Sequence, residues 1–175
     1  MEAHSIWKKM PAKPSLLLVS DNLRRFELLI RAALPNTTIV PVKYESWSLD
    51  QLAAAINERV RPGHKFASVG FLDHGKPGQF CLLRSIAGGA VKLQDINNDP
   101  QLAAFLTGLV GLVHQGGRID LLACSTAAGP EGAALIAKLE SLTPGVNWAA
   151  STDMTGSDEK GGDWILETDG VDVRT

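Results

Sequence analysis

The sequence predicts an α/β fold: a three-layer α/β/α sandwich around a mostly parallel sheet. Three observations carry this prediction. Short continuous apolar runs alternate with longer segments of helical periodicity, the runs have the composition of strands buried on both faces, and 175 residues suffice for one domain with a full-sized core. Right-handed crossovers then bring every strand-to-helix loop to the carboxyl edge of the sheet, where such folds place ligands and catalytic groups.

The elements follow in order. Residues 1–14 contain Pro11 and Pro14 and no periodicity, so they read as a flexible lead-in. SLLLVS (15–20) is the first buried strand. DNLRRFELLIRAAL (21–34) has Leu23, Phe26, Leu29, Ile30 and Ala33 at helical spacing, with Ser20 or Asp21 as cap and Pro35-Asn36 as stop. TTIVPVKY (37–44) is a second strand, and Pro41 assigns it to a sheet edge. SLDQLAAAINERV (48–60) opens with the capping-box pair Ser48 and Gln51. FASVGFL (66–72) is the third strand. A small hairpin is expected from 78–85 and 89–93, then a helix over 100–115 stopped by Gly116-Gly117. RIDLLAC (118–124) is the fourth main strand, and 129–142 a helix with Pro130 in its first turn. VNWAAST (146–152) and DWILET (163–168) are the last strands.

His74 and Cys124 each follow a strand that runs to the carboxyl edge. A cysteine nucleophile needs a thiolate, which an imidazolium and a helix N-terminus both favour; a helix is expected to begin about five residues after Cys124. Histidine is the side chain suited to exchanging protons in such a pair, and Gly75 after His74 allows close backbone approach and offers an N–H to an oxyanion. Chain order is selective. The α/β-hydrolase and papain-like arrangements place the histidine after the nucleophile, but the last histidine here is His114. A chymotrypsin-like order puts histidine first but belongs to an all-β fold. The flanks of Cys124 lack G-x-C-x-G, and neither a phosphate loop nor a dinucleotide fingerprint is present.

An α/β chain with histidine first and cysteine second, FASVGFLDHG followed by IDLLACS, resembles the caspase-type cysteine peptidases. Fifty residues separate His74 from Cys124, the separation of the caspase pattern. More closely, DHG (73–75), IDLLACSTAAGPEG (119–132), AASTDMTGS (149–157) and GGDWILE (161–167) resemble the DUF4347 family over about Leu16 to Gly170. That family occurs mainly at the N-terminal ends of very large bacterial surface or adhesin-like proteins. The resemblance implies a single caspase-like domain over 15–175 and a catalytic pair, His74 and Cys124. It also implies an oxyanion site from the backbone N–H groups of Gly75 and Cys124. Ser151, Thr152 and Asp153 would border the pocket for a peptide or protein substrate. Ser125-Thr126 replace the residues usual after a caspase cysteine, and Leu122 stands where metacaspase-like enzymes carry an acid.

Asp153 either selects an Arg or Lys substrate side chain or caps the turn before Met154-Thr155-Gly156. Asp73 either orients His74 or serves the sheet edge. Cys81 sits in an apolar hairpin with no polar partner nearby in sequence, and Cys124 itself could be a buried structural thiol in a non-catalytic relative. No metal or cofactor is expected, since Asp73, His74 and Cys124 lack ligand spacing. The net charge of −2 and the absence of a basic stripe argue against nucleic acid. Two cysteines make no disulfide framework, and the apolar run 16–19 is too short for a signal-peptide core or a membrane span. As it stands the chain reads as cytoplasmic; as a fragment of an exported protein it would be extracellular or surface-bound.

Overall fold

The computed structural model describes residues 13–174, so the expected lead-in lies almost wholly outside the described residues. Elements follow as β1 Ser15–Ser20, α1 Phe26–Ala32, β2 Thr37–Val42, α2 Leu49–Arg59, β3 Phe66–Leu72, β4 Gly75–Lys76, β5 Gln79–Cys81 and β6 Ala90–Lys92. Then come α3 Leu93–Asn98, α4 Pro100–Gly108, β7 Val113–Leu122, α5 Gly129–Leu142, β8 Asn147–Ala150, β9 Ile165–Leu166 and β10 Val171–Asp172. The central sheet has five parallel strands in the order β2-β1-β3-β7-β8, with helices on both faces. This is the predicted α/β sandwich.

Strand periodicity of two divides the core. Leu16, Leu18, Val69, Phe71, Ile119, Leu121 and Trp148 face α2, α3, α4 and α5. Val19, Leu72, Leu122 and Ala149 face the other way, against α1 and residues of the terminal β9–β10 hairpin. Trp148 is buried, and its indole N–H donates to the Thr143 hydroxyl at 2.8 Å, so its polar atom is satisfied inside the core. The second face is less covered. A trough of about 930 Å³ remains there, with Ser68, Gly70, Arg118 and Asp120 among its lining residues. Arg118 Nε donates to Asp120 at 2.5 Å; burial nevertheless pushes the Asp120 carboxyl above its ordinary range, against the pull of the guanidinium.

Several expectations hold in detail. The β2 strand is a sheet edge and contains Pro41, the capping box of Ser48 and Gln51 is closed in both directions, and α5 spans 129–142. Others are corrected. The first helix starts at Phe26 rather than 21, because its expected caps are used elsewhere: the Asp21 carboxylate accepts the Tyr44 N–H and the Ser20 hydroxyl accepts the Asn22 N–H. Leu93 begins the short helix α3 rather than ending a strand, and the expected hairpin becomes a three-stranded antiparallel sheet, β4-β5-β6.

Nor does the helix over 100–115 persist. Asp99 caps α4 by accepting the N–H groups of Gln101 and Leu102, but α4 ends at Gly108. Val113 is already extended and paired with Phe66, so tertiary pairing overrides helical periodicity. Gly116 and Gly117 therefore lie inside β7. They take up an insertion in which two steps along β3 (Phe66 to Ser68) match five along β7 (Val113 to Arg118). A side chain at Gly117 would meet the Ala67 carbonyl at 2.9 Å, so glycine permits the close strand approach.

The sheet edges are both occupied. On β2, Arg59 Nη1 donates to the Ile39 carbonyl at 2.6 Å. On β8, Thr168 closes the free edge: its hydroxyl accepts from Ala150 N–H at 2.9 Å, and its own N–H donates to the Ala150 carbonyl at 3.3 Å. Among the described residues no helix is long and apolar enough to cross a membrane.

A core-versus-surface test follows. Leu121→Ala, in the middle of the sheet, should lower unfolding free energy by about 2–5 kcal/mol. Leu28→Ala, on the half-exposed outer side of α1, should change it by less than about 0.5 kcal/mol. Urea denaturation measures both.

Candidate functional site

Leu72 and Leu122 stand opposite each other at the carboxyl ends of neighbouring parallel strands. His74 and Cys124 each lie two residues beyond them. Adjacent strands run about 4.8 Å apart, so this register delivers the two residues to the sheet edge side by side. The backbones then touch directly. A side chain at Gly75 would collide with the Thr126 hydroxyl, and would lie 2.8 Å from Ala123 Cβ and 2.9 Å from the Cys124 carbonyl. Glycine is required here by close approach rather than by a special φ.

Each loop is held by main-chain bonds. The His74 N–H donates to Asp73 Oδ1 at 2.7 Å, and the His74 carbonyl accepts from the Cys81 N–H at 2.8 Å. Its imidazole is exposed. Beyond β7, Cys124 is half-buried and its thiol donates to the Thr155 carbonyl at 3.6 Å. Ser125 is left-handed at φ 55°, a strained conformation for a residue with a Cβ. Two bonds to the Asp153 carbonyl fix it, from its N–H at 2.6 Å and from its hydroxyl at 3.2 Å. The Gly78 N–H donates to the Thr126 carbonyl at 3.1 Å, tying the β4–β5 turn to the same loop. Four residues on from Ser125, α5 begins, with Gly129 and Pro130 opening it.

The remaining sequence candidates converge on this loop. The Ser151 carbonyl accepts from the Ala127 N–H at 2.9 Å, which places the end of β8 against the cysteine loop. Ser151 itself is buried, and its hydroxyl is engaged by Asp153; Thr152 and Asp153 are exposed. The Thr152 N–H and hydroxyl both donate to Glu167 Oε2. His74, Gly75, Cys124 and residues 151–153 thus share one edge of the sheet.

The other singled-out residues have plain structural places. His64 is exposed and packs edge-on to Phe66, with ring centroids 4.7 Å apart; His114 is exposed on β7. Trp164 packs against the second core and Glu167 serves the edge through Thr152. His4 lies outside the described residues.

Three features were not visible in the sequence. Asp73 is 7 % exposed, and its Oδ1 also accepts from the Asn22 amide at 3.1 Å, a contact that spans the end of β1 and the end of β3. Cys81 is not isolated: it lies near Tyr44, and burial, then the nearby Asp73 charge, push its thiol above the ordinary range. Lastly, Asp153, Asp163 and Glu167 bring one oxygen each within 4.8 Å of one another, the one group of carboxylates, thiols or imidazoles among the described residues close enough to share a cation. Two of these acids already bond neighbouring main chain, Asp163 to the Ile165 N–H and Glu167 to the Thr152 N–H.

The family profile described as "Domain of unknown function (DUF4347)" matches residues 16–175. The chain belongs to the DUF4347 family. No curated protein and no solved structure matches it. Within this DUF4347 chain, the match runs from the second residue of β1 through β10, so all of the residues gathered at the carboxyl edge lie inside the family domain.

The close approach at Gly75 gives a direct test. Gly75→Ala should cost about 1–3 kcal/mol, because two of the three obstructing atoms belong to main chain or to Ala123 and cannot rotate aside. Gly108→Ala, in open space at the end of α4, should be neutral or stabilising by up to about 1 kcal/mol. Thermal melting of the two variants checks the contrast.

Proposed function

We propose that the chain is a caspase-like cysteine endopeptidase working through His74 and Cys124. The observation that carries this reading is the Leu72–Leu122 register with Gly75 wedged onto the Cys124 loop, which brings an exposed imidazole and a thiol to one sheet edge. A strained Ser125 directly after the cysteine supports it, since such conformations gather at sites of chemistry.

In this mechanism the Cys124 thiolate attacks the scissile carbonyl carbon and the carbonyl oxygen takes the negative charge. The N–H groups of Gly75 and Cys124 stabilise that oxyanion. As the C–N bond breaks, His74 delivers a proton to the leaving amine, and the acyl group stays on sulfur. Water then adds to the thioester and His74 accepts its proton; collapse releases the new carboxylate and regenerates the thiolate. Exposed Asp153 would draw an Arg or Lys side chain to the position before the cut, with Ser151 and Thr152 shaping that border.

A second reading is a non-catalytic recognition or assembly module of a larger bacterial surface protein. Two contacts favour it: the Cys124 thiol is already engaged by the Thr155 carbonyl, and the Asp153 carboxylate by the Ser151 hydroxyl.

Site-resolved alkylation separates the two. With iodoacetamide at pH 7, Cys124 should react at least about tenfold faster than Cys81, whose raised pKa leaves less thiolate at any given pH. His74→Ala should slow Cys124 and shrink the preference to what the raised Cys81 pKa alone leaves. Equal, slow labelling of both cysteines, unchanged in His74→Ala, would favour the module. A peptide panel with Arg, Lys, Asp or Leu before the cut then reads the selectivity.

A further inference from the structure

Asp73 occupies an unusual place. The strand order reverses direction between β1 and β3, which opens a crevice at their carboxyl ends, while the neighbouring ends of β3 and β7 carry His74 and Cys124. Asp73 stands between the two. Facing the β1 side, its Oδ1 accepts the Asn22 amide at 3.1 Å, and the Asn22 main-chain N–H is itself bound to the Ser20 hydroxyl at 3.2 Å. The same Oδ1 accepts the His74 N–H at 2.7 Å. One oxygen therefore joins the first strand's loop to the main chain of the candidate catalytic histidine.

Its other oxygen is the informative one. Asp73 Oδ2 is buried and has no hydrogen-bond partner among the described residues. Asp73 also lines a cavity of about 10 Å³, whose remaining walls include Ser20, Cys81 and apolar side chains of β1 and β3. Burying a carboxylate with one oxygen unpaired opposes folding, so stability does not account for an acid at this position. What Asp73 does hold is the main chain of His74. With its N–H fixed by Asp73 and its carbonyl fixed by the Cys81 N–H, the His74 main chain has both polar groups committed while the imidazole is exposed.

We propose that Asp73 is the positioning residue of the His74–Cys124 pair, clamping the His74 main chain to Asn22 so that the imidazole leaves the sheet edge toward the cysteine. The inference rests on the peptidase reading above. Its action is that of an acceptor at a fixed place, not of a charge, because the bonds it makes are to neutral amide donors. Asparagine at this position keeps an oxygen for both donors and replaces the orphaned oxygen by an amino group; alanine removes the clamp. Misplacement of a reacting group by about 1 Å costs as much as 100-fold in rate, so even a small loosening of the clamp is measurable.

The experiment measures the iodoacetamide labelling rate of Cys124 in the full chain from pH 5 to 9, by mass spectrometry. The wild type is compared with His74→Ala, Asp73→Ala, Asp73→Asn and Asn22→Ala, each checked for a cooperative melt. Asp73→Ala should slow Cys124 about tenfold and move its pH midpoint to that of His74→Ala, while Asp73→Asn stays within about twofold of wild type and Asn22→Ala falls between them. A folded Asp73→Ala with the wild-type rate and midpoint overturns the proposal, as does an Asp73→Asn as slow as Asp73→Ala. If Asp73→Ala does not fold, Asn22→Ala decides: a slowed rate with a shifted midpoint supports the clamp, and a wild-type profile overturns it. A purely structural role would lower melting temperatures without moving the midpoint. Wild-type labelling of His74→Ala would instead remove the pair itself, and the clamp with it, so the two failures are told apart at that control.

Discussion

The pairing of β3 with β7 is the constraint on which the other features depend. It is the most extensive contact within the sheet and the seam between the two strands that carry His74 and Cys124. Because side chains alternate, a slip of one residue would exchange Leu121 with Leu122 and turn each toward the wrong core. Five steps along β7 answer two along β3 at the Gly116-Gly117 insertion, so the irregularity is absorbed at the amino end and the carboxyl end stays in step. Both cores and the level of the site are thus set by one alignment.

Beyond the strands, the edge is built by interlocking loops rather than by buried apolar area. Gly75 enters the space beside Thr126, Gly78 bonds its carbonyl, Ser125 is held by Asp153, and Ala127 by Ser151. Each of these contacts links segments far apart in the chain. They also give the two cysteines different surroundings. Burial and then the nearby Asp73 charge favour the neutral thiol of Cys81, against its contact with Tyr44, whereas Cys124 is half-buried at the sheet edge with its thiol turned to the Thr155 carbonyl. Two chemically identical side chains are thereby separated by environment alone.

Much of the architecture was legible in the sequence, and for a common reason. The strands 15–20 and 66–72, the helix 129–142, the capping box at Ser48 and the edge position signalled by Pro41 all rest on local patterns that tertiary contacts reinforce. Expectations failed where a distant partner outbid the local signal. Ser20 and Asp21 look like helix caps but serve the Asn22 and Tyr44 amides, and the periodicity of 100–115 yields at Val113 to pairing with Phe66. At the site, the positions of His74 and Cys124 followed from strand ends and chain order. The bond from Asn22 to Asp73, 51 residues apart, and the meeting of Tyr44 with Cys81 have no local signature, because only folding brings those residues together.

The blunted margins of the sheet have a consequence for how the molecule can meet others. An open strand edge is a template for another chain's backbone. Here one margin has a proline in its midst and a carbonyl taken by Arg59, and the opposite margin has its amide and carbonyl taken by Thr168. Backbone-to-backbone extension is therefore discouraged on both sides. Whatever this domain joins, it must join through loops or faces, where side-chain identity rather than generic peptide geometry selects the partner.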